Sequence, residues 1–345
     1  MESQFKNLQQ LLDFFKDEET CKKYYEEKRW GGNVACPHCG SLKVYRTNRG
    51  FKCGEKLCYK KFSVISGTIF ENTKISLRVW FAVMYLISTA KKGVSSLQIS
   101  EQVGITQKTA WFVLHRIREM LKENEAEKLE GEVQADETFV GGKNHNRHAD
   151  KKMPHDVSFS GKTPVVGLIQ KNGKVRTFVA NDISADTLHS IMVDNVKEGS
   201  ILVTDAHRGY LGLHDRYTHV SVKHEDGGYV VTIGNQKFHT QNIENFWSIF
   251  KRGIIGIYHF VSAKHLQRYC TEFGYRYNKR EVSGVEKFDA ALLGADNRRL
   301  KYSTLIGGLS QRQLDEFADT YLKNPPPSQN EWLDNINPDD RPVAD

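Results

Sequence analysis

Four of the six cysteines stand in two tight pairs, Cys36 and Cys39 in CPHCG and Cys53 and Cys58 in CGEKLC, with 13 residues between the pairs. Thiolates are soft ligands, and two turns that each present a pair can close a tetrahedral shell around one zinc ion at about 2.3 Å. Gly40 and Gly54 each follow a cysteine, where such turns need backbone freedom. Disulfide bonding is the rival use of the same residues, and a reducing compartment disfavours it. A segment this short has little core of its own, so metal binding is expected to fold it. His38 is expected to face solvent because four thiolates already fill the shell. Cys21 and Cys270 have no nearby partner and read as small buried apolar residues.

A second chemistry is spread along the chain. Asp136 lies in EVQADETFVGG, Asp205 ends ILVTD, and Glu244 lies in HTQNIENFWSIFKRG. Taken singly, each has an ordinary structural use as a turn former, a helix cap or a partner of the helix dipole. Gathered in one cleft, three carboxylates repel each other and raise each other's pKa. Divalent cations remove that conflict, since magnesium takes hard oxygen ligands. Two such ions, magnesium or manganese, can activate an attacking oxygen and stabilise a leaving one at phosphorus. Glu137 neighbours Asp136 and, by strand alternation, is expected on the opposite sheet face and outside any shared site. Asp182, Asp186, Glu225 and Asp226 read as surface acids, and His207 and His239 as satisfied structural histidines.

The elements that must position these groups are legible from periodicity. Residues 1 to 30 read as helical, with Leu8, Leu11, Leu12, Phe14 and Phe15 on one side. Residues 33 to 73 hold the cysteines among short strand-like runs, and 74 to 121 are helical with breaks at Lys92-Gly93 and Gly104. After the charged stretch KENEAEKLEGE, strands are expected at Glu132–Val140, Pro164–Ile169, Val175–Ala180 and Ile201–Thr204. Helices are expected at Thr187–Val196 and Asn242–Ile254, the latter with Ile243, Phe246, Trp247, Phe250 and Ile254 in one stripe. Strands with helices between and after them make an α/β domain with a mixed sheet and flanking helices.

Ser95–Val103, Gly104 and Thr106–Leu121 form a helix, a turn and a longer helix. Ala110, Leu114, Ile117 and Leu121 are expected to pack on Leu97 and Val103. In a helix-turn-helix, Gln107, Lys108 and Thr109 fall where base edges are read, and Arg116 and Arg118 lie where phosphates are met. An ordinary helical hairpin is the competing reading. Lys251 and Arg252 stand two turns after Glu244, placed for phosphates or for a solvated helix face. The loop from Gly141 to Lys162 is basic and could touch DNA, as could Arg276 and Arg280, while Tyr275 and Tyr277 read as packing.

Composition sets the bounds. A chain of 345 residues exceeds one compact core, and 39% hydrophobic with 26% charged residues excludes a collagen-like or wholly disordered chain. No apolar run approaches the roughly 20 residues of a membrane span, and the N-terminus lacks a secretory pattern, so no membrane partner and a cytoplasmic location are expected. The net charge of +7 rises in the body, because residues 324 to 345 carry five acids against Arg341. A basic body favours a polyanion.

Together CPHCG, ADETFVGGK, VTDAHRGY, HTQNIENFWSIFKRGI and YCTEFGYRYNKR resemble the bacterial insertion-sequence DDE transposases with an N-terminal zinc ribbon, the ISXO-type family. The resemblance covers roughly residues 10 to 280. It implies a ribonuclease-H-like catalytic domain, two magnesium or manganese ions on Asp136, Asp205 and Glu244, and double-stranded DNA as partner. It also implies cleavage at element ends by water, then attack of the freed 3′-hydroxyl on target DNA, by at least a dimer that holds two ends. The expected organisation is an N-terminal helix and zinc ribbon (1–73), a helix-turn-helix (74–121), a linker (122–131), the catalytic domain (132–280), a helical extension (281–323) and an acidic, proline-rich tail (324–345) read as disordered. A DNA-binding regulator without catalysis and a metal-dependent nuclease are the alternatives.

Overall fold

The computed structural model describes residues 5–123, 126–142, 148, 161–222 and 230–307. The tail and most of the 141–162 loop lie outside the described residues, as do Glu225 and Asp226. Residues 1–299 form one unit; the described part of the second unit holds the short helix α10, Tyr302–Ile306.

The N-terminal segment is two helices rather than one, α1 (Leu8–Phe14) and α2 (Glu18–Trp30). The break follows from capping: the Asp17 carboxylate accepts from Thr20 N at 2.7 Å, starting a new helix where a continuous one would bury it. Between them Phe15 is fully buried, its ring 4.8 Å from Phe81 and 5.9 Å from Phe288. Phe288 belongs to α9 (Gly284–Leu293), so a C-terminal helix completes the N-terminal core.

A small antiparallel sheet follows, β1 (Val44–Thr47), β2 (Gly50–Cys53) and β3 (Lys61–Phe62) in that order. Phe51 and Phe62 stack at 5.4 Å, and Trp30 meets Phe51 edge-on at 5.4 Å.

Three helices come next, α3 (Leu77–Thr89), α4 (Ser96–Val103) and α5 (Gln107–Met120). Gly104 takes φ 67° between the last two, and Thr106 caps α5 by accepting from Thr109 N at 3.3 Å. Two expectations need correction. Leu97 is exposed and Ile99 is the buried residue of α4. Arg116 and Arg118 are buried, because α5 is covered by α3, α8 and α9 and has little solvated flank left. Arg116 sits 5.3 Å from the Trp80 ring and donates to Glu71 O at 3.1 Å. Arg118 donates to Glu272 at 2.7 Å, both side chains being essentially inaccessible. Arg276, another expected phosphate contact, is also buried and pairs with Glu272.

The larger sheet has the order β6-β5-β4-β7-β8. Strands β4 (Glu132–Val140), β5 (Thr163–Gln170) and β6 (Val175–Val179) form an antiparallel meander, while β7 (Ile201–Asp205) and β8 (Thr218–Val222) run parallel to β4. Helix α6 (Ala185–Asn195) makes the crossover, and Leu188 and Met192 join Val133, Ala135, Val166 and Leu168 on one face. The other face carries α7 (Gln241–Gly253) and α8 (Ala263–Asn278), whose Ile243, Trp247, Phe250, Leu266 and Phe273 pack with Val165 and Ile169. Cys21 and Cys270 are fully buried, as their isolation suggested. The edge strand β8 and the hairpin of β9 (Val231–Ile233) and β10 (Gln236–Phe238) have no clear sequence signal, being short and half-exposed.

Candidate active site and metal centre

The cysteine cluster is assembled by two turns. Gly40, at φ 74°, returns its N–H to Cys36 O at 2.8 Å, and Cys58 N reaches Glu55 O at 3.0 Å. One ligand atom from each of Cys36, Cys39, Cys53 and Cys58 lies within 4.8 Å of the others. Cys36 and Cys58 sulfurs are 3.8 Å apart, and those of Cys39 and Cys53 are 3.6 Å apart. A tetrahedron with 2.3 Å metal–sulfur bonds has edges of about 3.8 Å, whereas a disulfide needs about 2.05 Å. The donor set therefore fits a closed four-thiolate metal site. His38 faces solvent, as expected.

The acids are brought together by the sheet. Asp136 and Asp205 stand on the adjacent parallel strands β4 and β7, just past the last paired residues, Gln134 and Val203. Glu244 comes from the first turn of α7, and that helix is held from below. Gln134 is fully buried in β4, and its side-chain oxygen accepts from Asn242 N at 3.1 Å and Ile243 N at 3.3 Å. The helix is thus capped by the sheet rather than by its own preceding residue, Thr240. Thr240 instead donates to Glu244 Oε1 at 2.5 Å. Gly167, paired with Asp136, permits the close approach: a Cβ there would lie 2.5 Å from Trp247. Asp136, Asp205, Thr240 and Glu244 line one cavity of about 320 Å³.

The tightest group of acids at this sheet edge is not the expected three. Asp136, Glu137 and Asp205 each offer an oxygen within 4.8 Å of the others, while Glu244 lines the cavity with Asp136 and Asp205. Glu137 does start from the opposite sheet face, since its strand partner Val166 packs on the α6 side, and it does not line the cavity; the expectation is corrected only in that its carboxylate comes within reach of Asp136 and Asp205. Alternation fixes where a Cβ points, not how near the end of the longer glutamate arm comes to its neighbours. Burial, and then the neighbouring charges of Asp205 and Glu244, raise Asp136 to about 6, with the backbone N–H of Glu137 and Lys251 opposing. Burial and Asp205 push Glu137 to about 7. The buried Glu137 carboxylate faces the buried Tyr210 hydroxyl, which eases its ionisation. Acids held this close and buried, with their charges in conflict, suit a divalent cation bound by hard oxygen ligands.

The remaining candidates separate by exposure. Gln107 and Lys108 are exposed and Thr109 half-buried at the start of α5, with Gln107 donating to Ser96 Oγ at 3.0 Å. Lys251 and Arg252 are exposed on α7, and Arg252 donates to Ser248 Oγ at 2.5 Å. Arg116 does not share the exposed face of Gln107 and Lys108. His207 Nδ1 accepts from Gly209 N at 3.2 Å and lies 3.8 Å from Glu137, whereas His239 Nδ1 is buried without a partner. Gln134, Thr240 and Glu137 were not singled out for the site. A polar residue at a central strand position was the available signal for Gln134.

Residues 128–278 match the ISXO2-like transposase domain, and residues 16–61 match the transposase zinc-ribbon domain. The chain is also 27% identical over 286 residues to an uncharacterized protein in transposable element ISH50 of Halobacterium salinarum, covering 78% of this chain and 92% of that protein. Among the described residues no helix is long and apolar enough to cross a membrane.

Proposed function

We propose that the chain, which carries an ISXO2-like transposase domain preceded by a transposase zinc ribbon, binds the ends of an insertion sequence and cuts and rejoins DNA at the acid cleft. The observation that carries this reading is the single cavity lined by Asp136, Asp205 and Glu244. Strand order β6-β5-β4-β7-β8, with three antiparallel strands and two parallel to the first, supports a ribonuclease-H-like domain.

Asp136 and Asp205 would hold magnesium or manganese, with Glu137 beside them and Glu244 lining the same cavity. Two bound ions supply activation of the attacking oxygen and charge stabilisation at phosphorus. The protein supplies placement. Gln134 and Gly167 seat α7 against the sheet, Thr240 orients Glu244, and Lys251 brings a positive charge near Asp136. One zinc ion on Cys36, Cys39, Cys53 and Cys58 would fold the ribbon. The glycine turn and the exposed Gln107 and Lys108 support α4–α5 as a helix-turn-helix that reads element ends, with Thr109 in the same first turn. Two ends must be held at once, so the working form on double-stranded DNA is at least a dimer.

Asp136→Asn keeps the side chain's size and removes its charge. Loss of several kcal/mol of stabilisation predicts cleavage of an end-bearing duplex slowed on the order of 10³-fold, with end binding unchanged. Cleavage at the parent rate would refute the assignment. A strand-transfer assay with pre-cut ends separates a transposase from a nuclease.

A further inference from the structure

We propose that a groove beside α7 is a seat for the sugar-phosphate backbone of the element-end duplex, between the sequence read by α4–α5 and the phosphate that is cut. This rests on the transposase reading and gives that site a DNA path. The groove has a volume of about 550 Å³, and Lys91, Lys92, Arg252, Arg280 and Lys287 line it. No carboxylate lines it among the described residues. Its sixth cation, Arg276, is already committed to Glu272.

The chemistry favours phosphates. Lys91, Lys92, Arg252 and Arg280 are exposed. Arg280 lies 4.4 Å from the Tyr277 ring and donates to Tyr277 O at 3.0 Å, with the exposed Glu281 at 3.5 Å as its ion-pair partner. Exposed ion pairs of that kind are weak and yield to a phosphate. Among the described residues only the exposed Glu281 and the buried Glu272 offset these cations, which repel each other, and a polyanion relieves that repulsion.

Placement selects the occupant. Lys91 and Lys92 stand in the segment joining α3 to α4, a few residues before the Ser95 cap. Asn245, Ile249 and Arg252 are on α7, the helix that carries Glu244. The groove is therefore built from the connection into the reading helices and from the helix of the third acid. DNA engaged by both is uncut when it binds, so the occupant is a duplex rather than a free strand.

The test is the salt dependence of binding by the zinc-loaded full chain to a duplex carrying the terminal repeat that flanks the gene. Each lost phosphate contact lowers the slope of log K against log salt by about 0.9. The triple substitution Lys91→Ala, Lys92→Ala and Arg280→Ala should lower it by roughly 2 to 3, with thermal stability unchanged because the side chains are exposed. On a duplex trimmed to the footprint of α4–α5, parent and variant should bind alike. An unchanged slope on the long duplex, or an equal loss on both duplexes, overturns the groove. Failure of the parent to bind either duplex would instead overturn the transposase reading.

Discussion

The cysteine cluster and the acid cleft are both sets of metal-type ligands, but they are built by opposite means. The four sulfurs come from residues 36 to 58 and are gathered by two local turns and a three-stranded sheet. The acids come from residues 136 to 244 and meet only because a sheet, a crossover and a helix cap are all in register. The first site is inexpensive to encode and has little other structure to hold it. The second is held by a large core, so its geometry should survive without metal even though its charges conflict.

Removing the first metal is the largest perturbation of that contrast. Structural zinc contributes on the order of 10 kcal/mol to folding small domains. Chelation, or Cys53→Ser, is expected to unfold the ribbon and abolish end binding. Amide exchange should rise across β1–β3 and stay protected in β4 and β5. Equal exchange in both sheets would mean that the two regions are one cooperative unit.

The cleft should respond to pH in the opposite sense from a paired carboxylate. Asp136 and Glu137 are raised to about 6 and about 7 without metal, above their ordinary values. Their neutral forms therefore stabilise the fold at low pH, and that contribution fades as pH rises through 6 and 7. Each is worth up to about 3 kcal/mol. Metal-free Glu137→Gln should show a flatter fall in melting temperature between pH 5 and 8 than the parent. Parallel curves would remove Glu137 from the cluster.

A smaller effect tests the framework. Gly167→Ala places a Cβ 2.5 Å from Trp247 and 2.9 Å from Ile243, so α7 must lift. Overpacking of this kind costs about 1–3 kcal/mol. Cleavage should drop roughly 10-fold through displacement of Glu244, while zinc content and end binding stay normal. Unaltered cleavage would show that the third acid tolerates a shifted helix.

What the sequence revealed follows the same division. Strand β4 was legible because a short run ends in the breaker Gly141-Gly142, and α7 because its apolar stripe repeats at helical spacing. The cysteine pairs announce their chemistry by spacing alone. Arg116, Arg118 and Arg276 misled because arginine is ordinarily exposed, and only tertiary structure supplies Glu272 or the Trp80 ring as a reason to bury it. Glu137 misled because alternation describes the backbone, not the end of a flexible side chain. The role of Phe288 depends on a contact with Phe15 that spans most of the chain, and no local pattern carries that information.

The central claim is that acids distant in sequence hold divalent ions in one cleft. Calorimetric titration of manganese into the zinc-loaded chain tests it most directly, with Asp136→Asn alongside. The account predicts two manganese ions per chain in the parent and loss of that binding in the variant. No heat of binding in the parent, or the same isotherm for both proteins, would contradict it.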